Sequence, residues 1–208
     1  MHILVKILLK IRAITILFNI VLLCNSVALS QTYAIIGNGT NSNATTTYPA
    51  PFGNYYWGAR HQFFITAAQI TAAGISANSQ ISSIGFNVIA TNSASVHNSY
   101  QLKVYTTTSA NPISAGWLST GLVATSTTTN QTITTGWIQT SFTSFVWNGT
   151  DNLVIETCFQ NNVYNVNAST QWTESGLGTA TWSRWYREDG SGVCGNTSST
   201  STSTTTRP

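Results

Sequence analysis

The chain has 208 residues but only eight basic and five acidic side chains, and three of the basic ones (Lys6, Lys10, Arg12) lie in the first thirty positions. From Gln31 onward Arg60, Lys103, Arg184, Arg187 and Arg207 balance Asp151, Glu156, Glu174, Glu188 and Asp189, so the body is formally neutral. Phosphate binding needs clustered Lys and Arg that release counterions, so composition argues against nucleic acid, acidic polymers and anionic membrane surfaces as partners.

Residues 1–30 have the pattern of a cleaved export signal: a basic start, an apolar run over Ile14–Leu23, and the small-x-small site Ala28-Leu29-Ser30. The run is shorter than the roughly 20 residues of a membrane span, so no span is expected once the leader is removed. Cys24 does not suit lipidation, because Leu23 stands where a small residue is required. In the body Thr, Ser and Asn supply 72 of 178 residues, the make-up of a secreted or cell-surface β protein with hydroxyl- and amide-rich turns.

Strand character recurs along residues 31–195. It is read at Tyr33–Ile36, Gln62–Ile65, Ile81–Ile89, Tyr100–Tyr105, Leu122–Ala124, Trp137–Phe142, Leu153–Phe159, Thr170–Trp172 and Thr181–Tyr186. Ile84, Phe86 and Val88 alternate with Ser83, Gly85 and Asn87, and Leu102 and Val104 alternate with polar neighbours, which is the period of a half-buried strand. Only Thr66–Ala73 suits a helical turn or two. About nine strands with polar turns predict one all-β domain, a jelly-roll-like antiparallel β-sandwich. Asn148-Gly149 reads as a turn with hairpin chemistry, and residues 196–208 as a solvated Ser/Thr-rich tail.

With Cys24 in the leader, Cys158 and Cys194 remain. An even count in an exported chain favours a disulfide, which would contribute roughly 3–4 kcal/mol by loop closure. The alternatives are two buried thiols or a metal pair; neither cysteine has a His or second Cys at zinc-ligand spacing.

Catalytic chemistry finds few candidates. His61 and His97 are the body's histidines, both read as surface residues, and no Gly-x-Ser-x-Gly elbow accompanies them. Glu156 and Glu174 could form a glycosidase-type carboxylate pair. Alternation, however, places Glu156 with Val154 and Cys158 on a partly buried face, where an ion pair with Arg184 or Arg187 is the simpler reading. The expectation is therefore no enzymatic activity and no cofactor. Calcium is a secondary option at the Glu188-Asp189-Gly190-Ser191-Gly192 loop, with Asp189 as candidate ligand. Seven tryptophans and eight tyrosines suggest sugar stacking. Tyr55, Tyr56 and Trp57, in a Gly/Asn loop, are the candidate ligand-binding residues, while Trp137, Trp147 and one of Trp182 and Trp185 are assigned to the core.

Several stretches together resemble a β-sandwich domain of secreted Bacteroidota proteins. They are Ile36-Gly37-Asn38-Gly39-Thr40 with Tyr48-Pro49, Tyr55-Tyr56, Arg60 and Gln62; Ile81–Val88; Phe145–Glu156; and Tyr186–Cys194 with Arg207-Pro208. The resemblance covers residues 33–208 and implies a non-catalytic adhesion or accessory role in proteins that often carry a type IX secretion sorting domain. Family members usually continue beyond Arg-Pro into a further apolar strand, so the resemblance implies a chain truncated before its last strand. The expected partners are glycans or cell-surface polymers, with oligomeric state open. The alternatives are a structural spacer in a larger exported protein, and an accessory domain of a secreted hydrolase or the hydrolase itself.

Overall fold

The computed structural model describes residues 32–37, 39, 41–42, 48–53, 55–91, 96–163, 168–174, 179–198 and 201–208, and the expected leader at 1–30 lies outside them. Among the described residues there are twelve strands: β1 (Asn41–Ser42), β2 (Gly58–Ile65), β3 (Gln80–Ala90), β4 (Val96–Thr107), β5 (Leu122–Thr125), β6 (Thr129–Thr132), β7 (Gly136–Val146), β8 (Asn152–Gln160), β9 (Ser169–Glu174), β10 (Ser183–Glu188), β11 (Ser201–Ser203) and β12 (Thr206–Arg207). They form two antiparallel sheets. The larger has the order β11-β10-β2-β8-β4-β5, with β6 also on β4; the smaller has β1-β9-β3-β7, with β12 on β9. From β2 to β4, and again from β7 to β10, successive strands pass between the sheets, the winding of a jelly-roll-like sandwich.

Alternation translates directly into packing. Phe63, Leu102, Val104, Ile155, Phe159 and Trp185 from the large sheet meet Phe86, Val88 and Ile138 from the small one in the main core. The other face of the large sheet is covered as well: Phe64, Tyr105, Val154 and Trp182 pack with Ile113 in a second cluster. This double cover explains why every residue from Leu153 to Phe159 is buried. It also places Trp185 in one layer and Trp182 in the other, so both rings are buried.

One short helix, α1 (Ala67–Ala72), follows β2. Thr66 Oγ1 accepts from the Gln69 amide at 3.2 Å and Gln69 Oε1 accepts from the Thr66 amide at 3.0 Å, a capping box that satisfies orphan first-turn donors. The seated face is carried by Ile70, fully buried.

Four expectations change. Tyr33–Ile36 forms no strand. The turn at Asn148-Gly149 links β7 and β8, which lie in different sheets, so it is not a hairpin; Asn148 Oδ1 accepts from the amides of Thr150 and Asp151 at 3.0 and 2.9 Å. The Ser/Thr-rich end is not a solvated tail, because it supplies β11 and β12. Arg207, 2% exposed, donates to the Phe64 carbonyl and to Gln69 Oε1 at 3.0 Å, under the Trp182 ring. Trp137, assigned to the core, is 54% exposed, because it points from β7 to the outer side of the small sheet, while Ile138 points in.

Candidate functional site

Four separated segments meet at one end of the large sheet. Trp57 leads into β2, Asn98 lies near the start of β4, Gln160-Asn161-Asn162 close β8, and Gly190-Ser191 follow β10. Together they line a surface cavity of about 310 Å³.

Backbone hydrogen bonds set the walls. The Asn161 amide donates to the Trp57 carbonyl at 2.6 Å, and the Trp57 amide donates to Asp189 Oδ1 at 3.1 Å. The Asn98 amide donates to Asn161 Oδ1 at 2.8 Å. Gln160 ties the last wall: its Nε2 donates to the Asn161 carbonyl at 3.0 Å and to the Gly190 carbonyl, and its Oε1 accepts from the Val193 amide at 3.1 Å. The Cys158–Cys194 disulfide, with Cα atoms 5.6 Å apart, fastens the 3-10 turn Val193–Gly195 to β8. The expected staple thus also positions the chain just beyond Gly190-Ser191. Gly58 permits this packing. A β-carbon there would lie 2.9 Å from Val193 Cγ2 and 3.0 Å from the Phe159 carbonyl oxygen.

The aromatic trio divides. Trp57 lines the cavity. Tyr56 is partly buried under Arg187, whose guanidinium sits 5.1 Å from its ring and 4.4 Å from that of Tyr48. Tyr55 is 43% exposed and meets Tyr56 edge-on at 5.4 Å. Neither tyrosine lines the cavity.

The acidic loop is engaged locally. Asp189 holds the Trp57 amide, and Glu188 Oε2 accepts from the Tyr186 hydroxyl at 2.5 Å, a bond that raises the phenol's pKa. Among the described residues no three His, Cys, Asp or Glu side chains gather as a metal set.

The two histidines are not on the surface. His61 is 0% and His97 1% exposed: His61 alternates inward with Phe63, and an irregularity of β4 at Ser99 (φ 53°) brings His97 to the same inner face as Tyr100. They hold the segment Tyr48–Gly53 in opposite ways. His61 Nε2 accepts from the Ala50 amide at 3.3 Å, between the rings of Tyr48 and Phe63. His97 Nε2 donates to the Phe52 carbonyl at 2.8 Å, against the edge of Phe159. Burial lowers the His61 pKa to about 3, helped by the Arg187 and His97 charges. Burial lowers that of His97 to about 4, opposed by its Phe52 bond. Two neutral imidazoles packed this way serve structure.

Glu156 does share a buried face with Val154 and Cys158, but its partners differ from those expected. Arg60 Nη2 lies 2.8 Å from Oε2, Gln62 Nε2 donates to the same oxygen at 2.7 Å, and Lys103 Nζ lies 3.5 Å from Oε1. Register explains the choice. Gln62 is opposite Glu156 on β2, Arg60 is the diagonal neighbour, and β10 is one strand further away. Arg184 instead binds the carbonyls of Ile113 and Ser114 at 2.7 and 2.6 Å, and Arg187 covers the tyrosines. Glu174 belongs to β9 in the other sheet, and its side chain lies outside those described.

Comparison with protein-family models, with curated proteins and with solved structures finds no match. Among the described residues no helix is long and apolar enough to cross a membrane.

Proposed function

We propose that this chain is a non-catalytic carbohydrate-binding or adhesion module of a secreted or cell-surface protein. The observation that carries the reading is the cavity in which Trp57 meets Asn98, Gln160, Asn161 and Asn162, with Gly190 and Ser191 opposite. A sugar ring offers an apolar C–H face and a rim of hydroxyls. An indole complements the first and carboxamides the second. The Ser/Thr/Asn-rich, neutral body and the leader pattern support an extracellular setting. Tyr55, exposed beside Tyr56, extends the aromatic surface in sequence next to Trp57.

The test is a glycan array probed with the labelled full chain and with Trp57→Ala. Saturable binding by the wild type, lost at least tenfold in the variant, supports the reading. Absence of any saturable glycan would favour a spacer module and overturn it.

A further inference from the structure

We propose that the cavity takes an uncharged pyranose unit and disfavours sugars that carry a carboxylate. This rests on the carbohydrate-binding reading above and names its ligand class. The volume of about 310 Å³ lies at the small end of the roughly 300–1,000 Å³ of ligand sites and admits a sugar ring.

The polar groups of the wall fall into two sets. Gln160 and the Oδ1 of Asn161 are engaged by the fold, through the bonds to Gly190, Val193 and Asn98 given above. The carboxamides of Asn98 and Asn162 and the hydroxyl of Ser191 make no hydrogen bond among the described residues, although all three line the cavity. Two free carboxamides and a hydroxyl present both donors and acceptors. Sugar hydroxyls, which are donor and acceptor at once, match that set.

Charge points the same way. No cavity-lining residue is ionisable. The residue just before Gly190 is Asp189, whose Oδ1 holds the Trp57 amide. The nearest cation in sequence, Arg187, is occupied over Tyr48 and Tyr56. A uronate would bring a second carboxylate toward Asp189 without a cation to meet it, and like charges repel more strongly as water is displaced.

The experiment is a calorimetric or NMR titration of the full chain with methyl glycosides of glucose, galactose, mannose and N-acetylglucosamine, and with methyl glucuronide and galacturonide. At least one neutral glycoside is expected to bind ten or more times tighter than its uronate. That neutral affinity should not change in 0.5 M NaCl. Trp57→Ala should lose it at least tenfold, Trp57→Phe should recover part, and Asn98→Ala and Asn162→Ala should each weaken it several-fold at unchanged melting temperature. A uronate bound as well as its neutral counterpart overturns the inference and leaves the carbohydrate reading standing. A neutral glycoside bound equally by wild type and Trp57→Ala overturns the placement in this cavity. No binding of any glycoside, together with a silent array, overturns both.

Discussion

Arg60 and Glu156 meet at 2.8 Å on the outer face of the large sheet, and Trp117 lies over the guanidinium 4.3 Å from its centre. The pair is closed in by the loop carrying Trp117 and Leu118 and by the chain after Cys194: Arg60 Nη1 donates to the Asn196 carbonyl at 2.8 Å, and Gln62 Nε2 to that of Leu118 at 2.7 Å. Two strands and two covering segments therefore converge on one carboxylate. The Tyr105 hydroxyl sits in the same field, its pKa pushed up to about 12 by burial and then by the Glu156 charge.

Removing one partner leaves the other charge buried. Glu156→Ala and Arg60→Ala should each cost about 3–5 kcal/mol of stability. The double variant Arg60→Met with Glu156→Leu should recover much of that loss. Urea unfolding of the four proteins checks it; an Arg60→Ala variant as stable as wild type would sink the account.

The buried histidines predict acid sensitivity. Both titrate near 6.5 in the unfolded chain but at about 3 and about 4 in the fold. Between these values the unfolded chain binds more protons, so stability is complete above pH 6.5 and declines as pH falls, levelling below the folded pKa values. Each histidine contributes a slope of about 1.4 kcal/mol per pH unit in that window. Urea midpoints at pH 7, 5.5 and 4.5 measure the slope, and His61→Gln or His97→Gln should flatten it by about one proton each. Equal slopes in variants and wild type would contradict the assignment.

Gly58→Ala tests the cavity wall. The added methyl meets the Phe159 carbonyl, which belongs to a central strand and cannot move freely, so Val193 and its turn must shift. A loss of about 1–3 kcal/mol is expected for such overpacking, together with weakened neutral glycoside binding. Unchanged affinity and melting temperature would show that the turn accommodates the methyl.

Reduction of Cys158–Cys194, or its replacement by two serines, should lower stability by roughly 3–4 kcal/mol. It should also loosen the 190–195 segment, read as faster amide exchange there than in β2. Uniform exchange across both regions would argue against a local role.

Arg207→Ala should detach the chain end from the second cluster and cost about 1–3 kcal/mol, because the Phe64 carbonyl loses a charged donor. Arg207→Lys should restore only part, since an ammonium can replace the Nη1 donor to Phe64 and Gln69 but not the planar guanidinium against the Trp182 ring. Burial already holds the guanidinium pKa down at about 10.

Local chemistry was legible without coordinates wherever neighbours in sequence decide the outcome. Period two marked the cores of β3 and β4, Thr66–Ala73 read as the one helical turn, and an even cysteine count marked the staple. Of the trio at Tyr55–Trp57, only Trp57 lines the cavity. Alternation, however, says which residues share a face and not which face is covered. Only the tertiary structure shows that the large sheet is buried on both sides and the small sheet is open at Trp137. Packing of the Tyr48–Gly53 segment closes over His61 and His97 on the inner face, strand register selects Arg60 for Glu156, and the second cluster draws the Ser/Thr-rich end into strands around Arg207. The cavity itself has no sequence signature, because its walls come from four segments that pairing of distant strands brings together.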